Sequence, residues 1–436
     1  MSLTSITSLT GGDELSCLGR GRHWRLPSLE RVQTDGTVWP KVLGELVCTS
    51  RSLKELHVEC DTDVMADSLR FIPVAAAGQP GPLAQLEDIG TLRMLSGSAE
   101  DLTRLQAVLV DRGCRSIKKL SVKVQFHLID SRIFETLLAI ETFTRAVCVR
   151  PDIPVGIKAG IDSFDLGLLG DVPTLPAPSF FVQKQIQQLA AASQVAYFTI
   201  RPRHLTAPLH APSTAASVLA QCLTFPNAKG VTVTAPHDLE PAADAELDPV
   251  VLESMPHNAF PAASRLRSHS SKGCAISRRL LAKMPVVKSI DLWGTCPTHA
   301  DAVGVVQAVG GERDLDYFDA GRVTGVGEGG LSWGDIADQL PTIKRLVIAV
   351  KVPQDLGDGD GGAAGEFSIA CIKSLLKIRG LKRLQFALWP AGEHSFKRLV
   401  EERTHGDTIE GLDGRFDVEW GRGEQWDRLT LKPLDT

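Results

Sequence analysis

The sequence predicts an α/β solenoid, a stack of small helix–strand units with parallel strands on the concave face and helices on the convex face. Three observations predict it. The chain has 436 residues, more than the ~250–300 at which a single hydrophobic core stops growing, so it holds either several domains or one array of repeats. A short apolar pattern with the period of a half-buried strand returns along its length. A stretch of helical amphipathicity precedes most copies.

The pattern reads apolar, often Lys, any residue, apolar, any residue, apolar. Leu53-Lys-Glu-Leu56-His-Val58 and Ile117-Lys-Lys-Leu120-Ser-Val122 show it in the first half. Ala228-Lys-Gly-Val231-Thr-Val233, Val287-Lys-Ser-Ile290-Asp-Leu292, Ile343-Lys-Arg-Leu346-Val-Ile348 and Leu381-Lys-Arg-Leu384-Gln-Phe386 follow. The alternation at the end of each copy places one set of side chains inward and the other in water. Looser copies begin at Leu29, Ile89, Thr144, Ser163, Val195, Ala263, Leu315 and Arg415, and Ser163 matches least well. Several starts are about 28 residues apart.

Segments 98–112, 131–143, 179–192, 213–225, 300–310 and 367–378 carry apolar residues at helical spacing. Ser98 can cap the first, with Glu100 and Asp101 in its first turn. Several units turn at Pro or Gly, as at Phe225-Pro226, Met284-Pro285, Leu340-Pro341 and Arg379-Gly380. A helix–turn–strand unit of this size cannot bury its own apolar face, so neighbours must stack. Helices are wider than strands, so the stack bends with its strands inside. The expected organisation is an N-terminal extension or cap over 1–25 and one irregular solenoid over 26–436. A loop insertion is expected near 236–260, where 237–253 is acidic and rich in Pro and Ala. A doubly wound α/β sheet is the competing fold, but its strands are buried on both faces and read as continuous apolar runs. These mostly alternate, which predicts one face in water.

The strand pattern resembles the LxxLxL segment of leucine-rich repeats, especially the ribonuclease-inhibitor-like class with a helix in each repeat. The resemblance covers nearly the whole chain and implies a curved, non-enzymatic binding scaffold. It departs from the family at the eighth position after the first Leu, where Asn or Cys satisfies backbone groups. Asp61, Gln125, Pro236, Thr295, Lys351 and Trp389 stand there instead. No F-box stands at the N-terminus, so a ubiquitin-ligase-type substrate receptor is an alternative on family analogy only.

Composition narrows the function classes. The charged fraction is 23% and the net charge −5, which opposes a nucleic-acid partner. No apolar run reaches the ~18 residues that span a bilayer. The N-terminus lacks a basic start and apolar core, so no signal peptide and no membrane association are expected. The nine cysteines are scattered, odd in number and without a CxxC pair. They read as reduced thiols of a cytoplasmic or nuclear protein, mostly buried as small hydrophobes.

Enzyme signatures are present but lack their context. Gly330-Leu-Ser332-Trp-Gly334 matches GxSxG, yet the nucleophile elbow needs a strand directly before it, and VTGVGEG is too rich in glycine. The expected role of Ser332 is a helix cap, with Asp335 completing a capping box. The GxGxxG run 325–330 has no acidic residue on the following strand. Acids at 355, 358 and 360 lack the spacing of a calcium loop. No clustered histidine set stands out among the eleven. The sequence therefore predicts no catalytic residue, cofactor or metal.

Outward strand positions are the candidate interface. In the first half they are Glu55, His57, Lys119, Lys123, Arg150, Tyr197 and Arg201, and near the end Arg345, Arg383 and Gln385. Between them three consecutive copies should set Arg265 and Arg267 beside Asp291 and Trp293, and these beside Tyr317 and Asp319. This aromatic strip between charges is the predicted partner-binding site. The expected function is a protein–protein interaction scaffold for a macromolecular partner. An enzyme using 325–334, or a nucleic-acid adaptor using the basic run 265–288, is the alternative.

Overall fold

The computed structural model describes residues 4–11, 24–34, 40–95, 99–125, 132–150, 155–159, 163–166, 178–199, 214–234, 249–269, 273–293, 295–327, 330–352, 361–389, 396–422 and 427–434. The chain is mixed α/β and divides into two compact units, Met1–Ser163 with Ala177–Leu189, and Phe164–Pro176 with Ala190–Thr436.

The first unit holds strands β1 (Ser8–Gly11), β2 (Arg31–Thr34), β3 (Glu55–His57), β4 (Glu59–Asp61), β5 (Asp88–Leu95), β6 (Lys119–Gln125) and β7 (Val155–Ala159). Between them lie helices α1 (Pro40–Val47), α2 (Thr62–Leu69), α3 (Ala99–Asp111) and α4 (Arg132–Val147). The strands pair in parallel in the order β1-β2-β3-β5-β6-β7, with β4 also on β5. Sequence order is thus spatial order. Successive helices pack on one another from α1 to α4. Residues 8–11 of the expected N-terminal extension form the edge strand.

The second unit repeats the scheme with β8 (Ser163–Asp165), β9 (Val195–Thr199), β10 (Gly230–Thr234), β11 (Arg265–Ser268), β12 (Ser289–Asp291), β13 (Asp314–Leu315), β14 (Tyr317–Val323), β15 (Thr342–Ile343), β16 (Arg345–Lys351) and β17 (Arg383–Trp389). Pairs β18 (Thr404–His405) and β19 (Thr408–Ile409), then β20 (Phe416–Arg422) and β21 (Asp427–Pro433), close it. Helix α5 (Phe180–Ala192) belongs to the first unit up to Leu189. The helices of the second unit are α6 (Thr214–Cys222), α7 (Pro249–Ser254), α8 (Gly273–Leu281), α9 (His299–Gln307), a 3₁₀ helix (Ser332–Gln339), α10 (Gly361–Leu376) and α11 (Phe396–Glu401). The main sheet again follows the chain from β8 to β17, skipping the short β13–β15 pair, and then runs β17-β21-β20. The insertion expected near 236–260 lies outside the described residues up to 248, and 249–254 is α7.

The recurring pattern explains the stacking. Its first, fourth and sixth positions are buried in all six strong copies, except the half-buried Leu381. The second position, often Lys, forms a rung between units. The Lys54 N–H donates to the Glu30 carbonyl at 2.8 Å, and Glu87 to Lys54 at 2.7 Å. In the second unit Ser264 donates to Lys229 at 3.1 Å, Lys288 to Ser264 at 2.8 Å and Lys382 to Lys344 at 2.8 Å. The lysine ammonium groups follow the same ladder, Lys54 to Glu30 at 3.1 Å, Lys118 to Glu87 at 2.7 Å and Lys344 to Asp316 at 2.6 Å. These exposed pairs add little stability, but they favour one register.

Several expectations need correction. The copy placed at Thr144 is helix, because α4 continues to Val147. The rung at Glu87 shifts the copy placed at Ile89 to Leu86, and pairing of Val195 with Gly230 shifts the copy placed at Val195 to Ser193. The copy at Arg415 leads into an antiparallel strand. Only 423–426 separates β20 from β21, which is too short for a parallel crossover. The alternation also fails in β16 and β17, whose five central residues are buried on both faces. Outward Val347, Ala349 and Ala387 are small enough to be covered by flanking side chains. The Arg345 guanidinium lies 5.3 Å from the Tyr317 ring centroid, and Arg322 and Lys351 lie 5.6 and 5.8 Å from that of Trp389.

Ser332 is the first residue of the 3₁₀ helix, not its cap. Leu331 holds the cap position, and no side chain bonds there. The six expected helical segments are all present, although Ser98 lies outside the described residues.

Leu346→Ala should cost ~2–5 kcal/mol, as other buried leucine truncations do. Val347→Ala should cost about 1.6 kcal/mol, two buried CH2 equivalents at about 0.8 each. Chemical denaturation measures both. An unchanged midpoint for Val347→Ala would show that this face of β16 is open to water.

Candidate interaction surface

The outward positions of the second sheet form rows by register. Thr232 pairs with Tyr197 and Arg267, Arg267 with Asp291, Asp291 with Asp319, Asp319 with Val347 and Val347 with Gln385. The next row sets Arg265 beside Ser289 and Ser289 beside Tyr317. The three strands that carry Arg265, Arg267, Asp291, Tyr317 and Asp319 are therefore adjacent, and Trp293 follows β12 by two residues.

These six residues differ in what they offer. Asp291 is only 9% exposed, and its Oδ1 accepts the Trp293 N–H at 3.0 Å. Its Oδ2 takes Arg267 Nε at 3.2 Å and lies 3.7 Å from Arg265 Nη2. Asp319 is 4% exposed, with Oδ1 accepting the Gly321 N–H at 2.9 Å and Oδ2 the Tyr317 hydroxyl at 3.1 Å. Both carboxylates thus fold the chain locally, each bonding the N–H two residues on. Tyr317 is half-buried under Arg345. The accessible members are Arg265, Arg267 and above all Trp293, which is 64% exposed.

Gly321 explains why Asp319 is held there. It has a φ of 68°, and a Cβ would meet the Leu292 carbonyl at 2.5 Å. Glycine alone fits this bulge, where the β14–β16 register shifts. The first unit repeats the device: Asp88 Oδ1 accepts the Gly90 N–H at 2.7 Å where the β5–β6 register shifts. The spacing Asp-x-Gly was a signal in the sequence that hydrophobic patterning ignored.

Burial pushes the Asp319 carboxyl above its ordinary range, the Gly321 N–H opposes this, and nearby Asp291 adds to it. Burial, with Asp319 alongside, also pushes the Tyr317 phenol up. Tyr317 therefore remains a hydroxyl donor to Asp319 at neutral pH.

The outward groups of the first sheet pair mainly with each other. Arg31 contacts Glu55 at 2.5 and 3.0 Å, His57 Nε2 lies 3.1 Å from Glu55, and Lys123 reaches Glu59 at 3.2 Å. Lys119 is exposed and Tyr197 half-buried, and Arg201 lies outside the described residues. Near the end of the second sheet Arg345 donates to Gln385 Oε1 at 2.9 Å.

Ser332 is exposed, and its hydroxyl bonds no described residue. The glycine run does follow a strand, because β14 extends to Val323, but it leads into 3₁₀ rather than α-helix. The acids at 355, 358 and 360 lie outside the described residues. Among the described residues no group of His, Cys, Asp or Glu could hold a metal, and no helix is long and apolar enough to cross a membrane. The described cysteines are free, and burial raises six of the thiols, Cys60, Cys148, Cys274 and Cys371 to about 12, Cys114 to about 11, and Cys48 as well.

No family model matches the chain. No curated protein matches its sequence.

The buried acid allows a test. The folded chain binds the Asp319 proton more tightly than the unfolded chain, whose value is ~3.9. The contribution of Asp319 to stability is therefore lost as pH rises from that value through the folded one. Asn can still accept from Gly321 and donate to Tyr317. Asp319→Asn should be more stable than the natural protein at pH 7, with the advantage shrinking toward pH 4. Thermal melts at both pH values check it, and an Asp319→Asn variant less stable at pH 7 would refute the assignment.

Proposed function

We propose that this chain is a non-enzymatic binding scaffold, a leucine-rich-repeat-like solenoid that docks a protein partner on the strand face of its second unit. Strand order supports the architecture. Crossovers between parallel strands are almost always right-handed, and order that never reverses then sends every connecting helix to the same side. A doubly wound sheet reverses order part-way. The opposite side remains available to a partner.

Exposure of Trp293 carries the docking reading. Its backbone is fixed by Asp291 while its indole stands in solvent, so the ring is presented on a rigid base. Arg265 and Arg267 share the single Asp291 carboxylate, which leaves positive charge beside the ring. The matching partner is a protein surface with an apolar pocket and an adjoining acid.

Trp293→Ala should lower partner affinity by ~30-fold or more, the scale of an interface anchor, while shifting stability by no more than ~0.5 kcal/mol. Arg267→Glu should weaken the same complex by repelling the acid. Capture from cell extract with natural and variant chains, followed by titration of the recovered partner, measures both. A Trp293→Ala chain that folds and captures the same proteins with equal affinity would sink this reading.

A further inference from the structure

The antiparallel hairpin brings together groups that the parallel strands alone do not. A recess of about 260 Å³ lies on the outward face where β17, β21 and β20 adjoin, lined by Arg383, Gln385, Glu419, Trp420, Arg428 and Thr430. Across its floor Gln385 pairs with Thr430 and Thr430 with Glu419. Gln385 is held at both ends: its Oε1 accepts from Arg345 at 2.9 Å, and its Nε2 donates to Thr430 Oγ1 at 3.3 Å. Because the Thr430 oxygen already accepts that bond, its hydroxyl proton is left to donate.

The charges around the recess do not cancel. Glu419 and Asp417 converge on Lys432, at 2.5 and 3.2 Å. Arg383 is left 3.8 Å from Glu419, beyond hydrogen-bond reach, and its Nε is buried without a partner, as is that of Arg345. Arg428 is half-buried, and its charge reaches the Asp319 carboxylate only as a weak long-range attraction, with no contact within ion-pair distance among the described residues. Its cross-strand neighbour is Gly421, which lines the recess without a side chain to cover the guanidinium. An unsatisfied buried N–H and an uncovered guanidinium, on adjacent strands, both call for an acceptor of negative charge.

We propose that this recess binds an oxyanion, carboxylate or phosphate, carried on a small organic body. Arg383 and Arg428 hold the anion from neighbouring strands, and Thr430 adds a neutral donor. Guanidinium is suited to this work because its forked N–H groups match the spacing of two oxyanion oxygens. The recess approaches the ~300 Å³ lower range of small-molecule sites, larger than a bare ion needs. The inference does not depend on the Trp293 surface.

Calorimetric titration of the full chain at low salt, once with inorganic phosphate and once with sodium benzoate, tests it. One-to-one binding of either supports the site, and whichever binds identifies the anion. Arg428→Gln should weaken that binding about 10- to 100-fold, the loss of one charge-assisted hydrogen bond. Glu419→Gln should tighten it, because the carboxylate competes with the ligand for Arg383. Gly421→Leu should close the recess without changing any charge, and Trp293→Ala should leave the titration unchanged. Circular dichroism confirms that each variant is folded. Absence of heat from both probes up to ~10 mM would overturn the proposal. So would binding that Arg428→Gln leaves intact, or weaker binding in Glu419→Gln.

Discussion

The N–H at the second position of a strand is satisfied by the carbonyl of the corresponding residue one unit earlier. Lys54, Lys288 and Lys382 each make this bond, and much else follows from it. A strand of three residues such as Ser289–Asp291 has too few bonds and too little buried surface to persist alone. Bound on both sides, it becomes part of a sheet in which side chains repeat in rows. The apolar rows form the core, and the opposite rows form a surface whose neighbours are set by register rather than by chance contact.

Where a row carries acids beside a turn or bulge, the sheet has used them for its own geometry. Asp88 and Asp319 each bond a glycine at the point where register shifts. The two bulges occur in different units, at the third position of the pattern for Asp88 and the fifth for Asp319, and each combines a left-handed glycine with a carboxylate two residues before. Asp291 performs the same local bonding but is followed by Trp293 instead of glycine. The turn therefore holds an indole outward. One small motif gives either a hidden bulge or an exposed ring, depending on a single residue.

The sequence made the parallel strands legible because their inward positions repeat as Leu, Ile or Val. Leu53, Leu56 and Val58 are as buried as their pattern requires, as are Val287, Ile290 and Leu292. It could not reveal the burial of Val347 and Ala349 from outside, because that depends on how long side chains of neighbouring strands lie across them. Trp293 was legible as an outward ring. Asp291 and Asp319 were legible as outward in register but not as occupied, since the alternation of a strand says nothing about bonds to its own backbone. Arg428, Glu419 and Thr430 were missed altogether. They sit on an antiparallel hairpin, in which β21 reverses the direction and β20 restores it, and the repeated pattern carries no information about a segment that breaks it.

The hairpin also decides how the second sheet ends. A parallel array exposes at its last strand the same pattern of donors and acceptors that recruited every strand before it, and could in principle recruit the next copy of itself. Here β21 reverses direction and β20 restores that of β17, so polarity alone would admit another strand, but the edge strand β20 bears Asp417 and Glu419, and like charges on an edge oppose pairing with a second copy. Copies of the protein are thereby denied the simplest route to head-to-tail polymerisation at this end. Duplication of an internal unit would lengthen the array, whereas loss of the hairpin would uncover an adhesive strand.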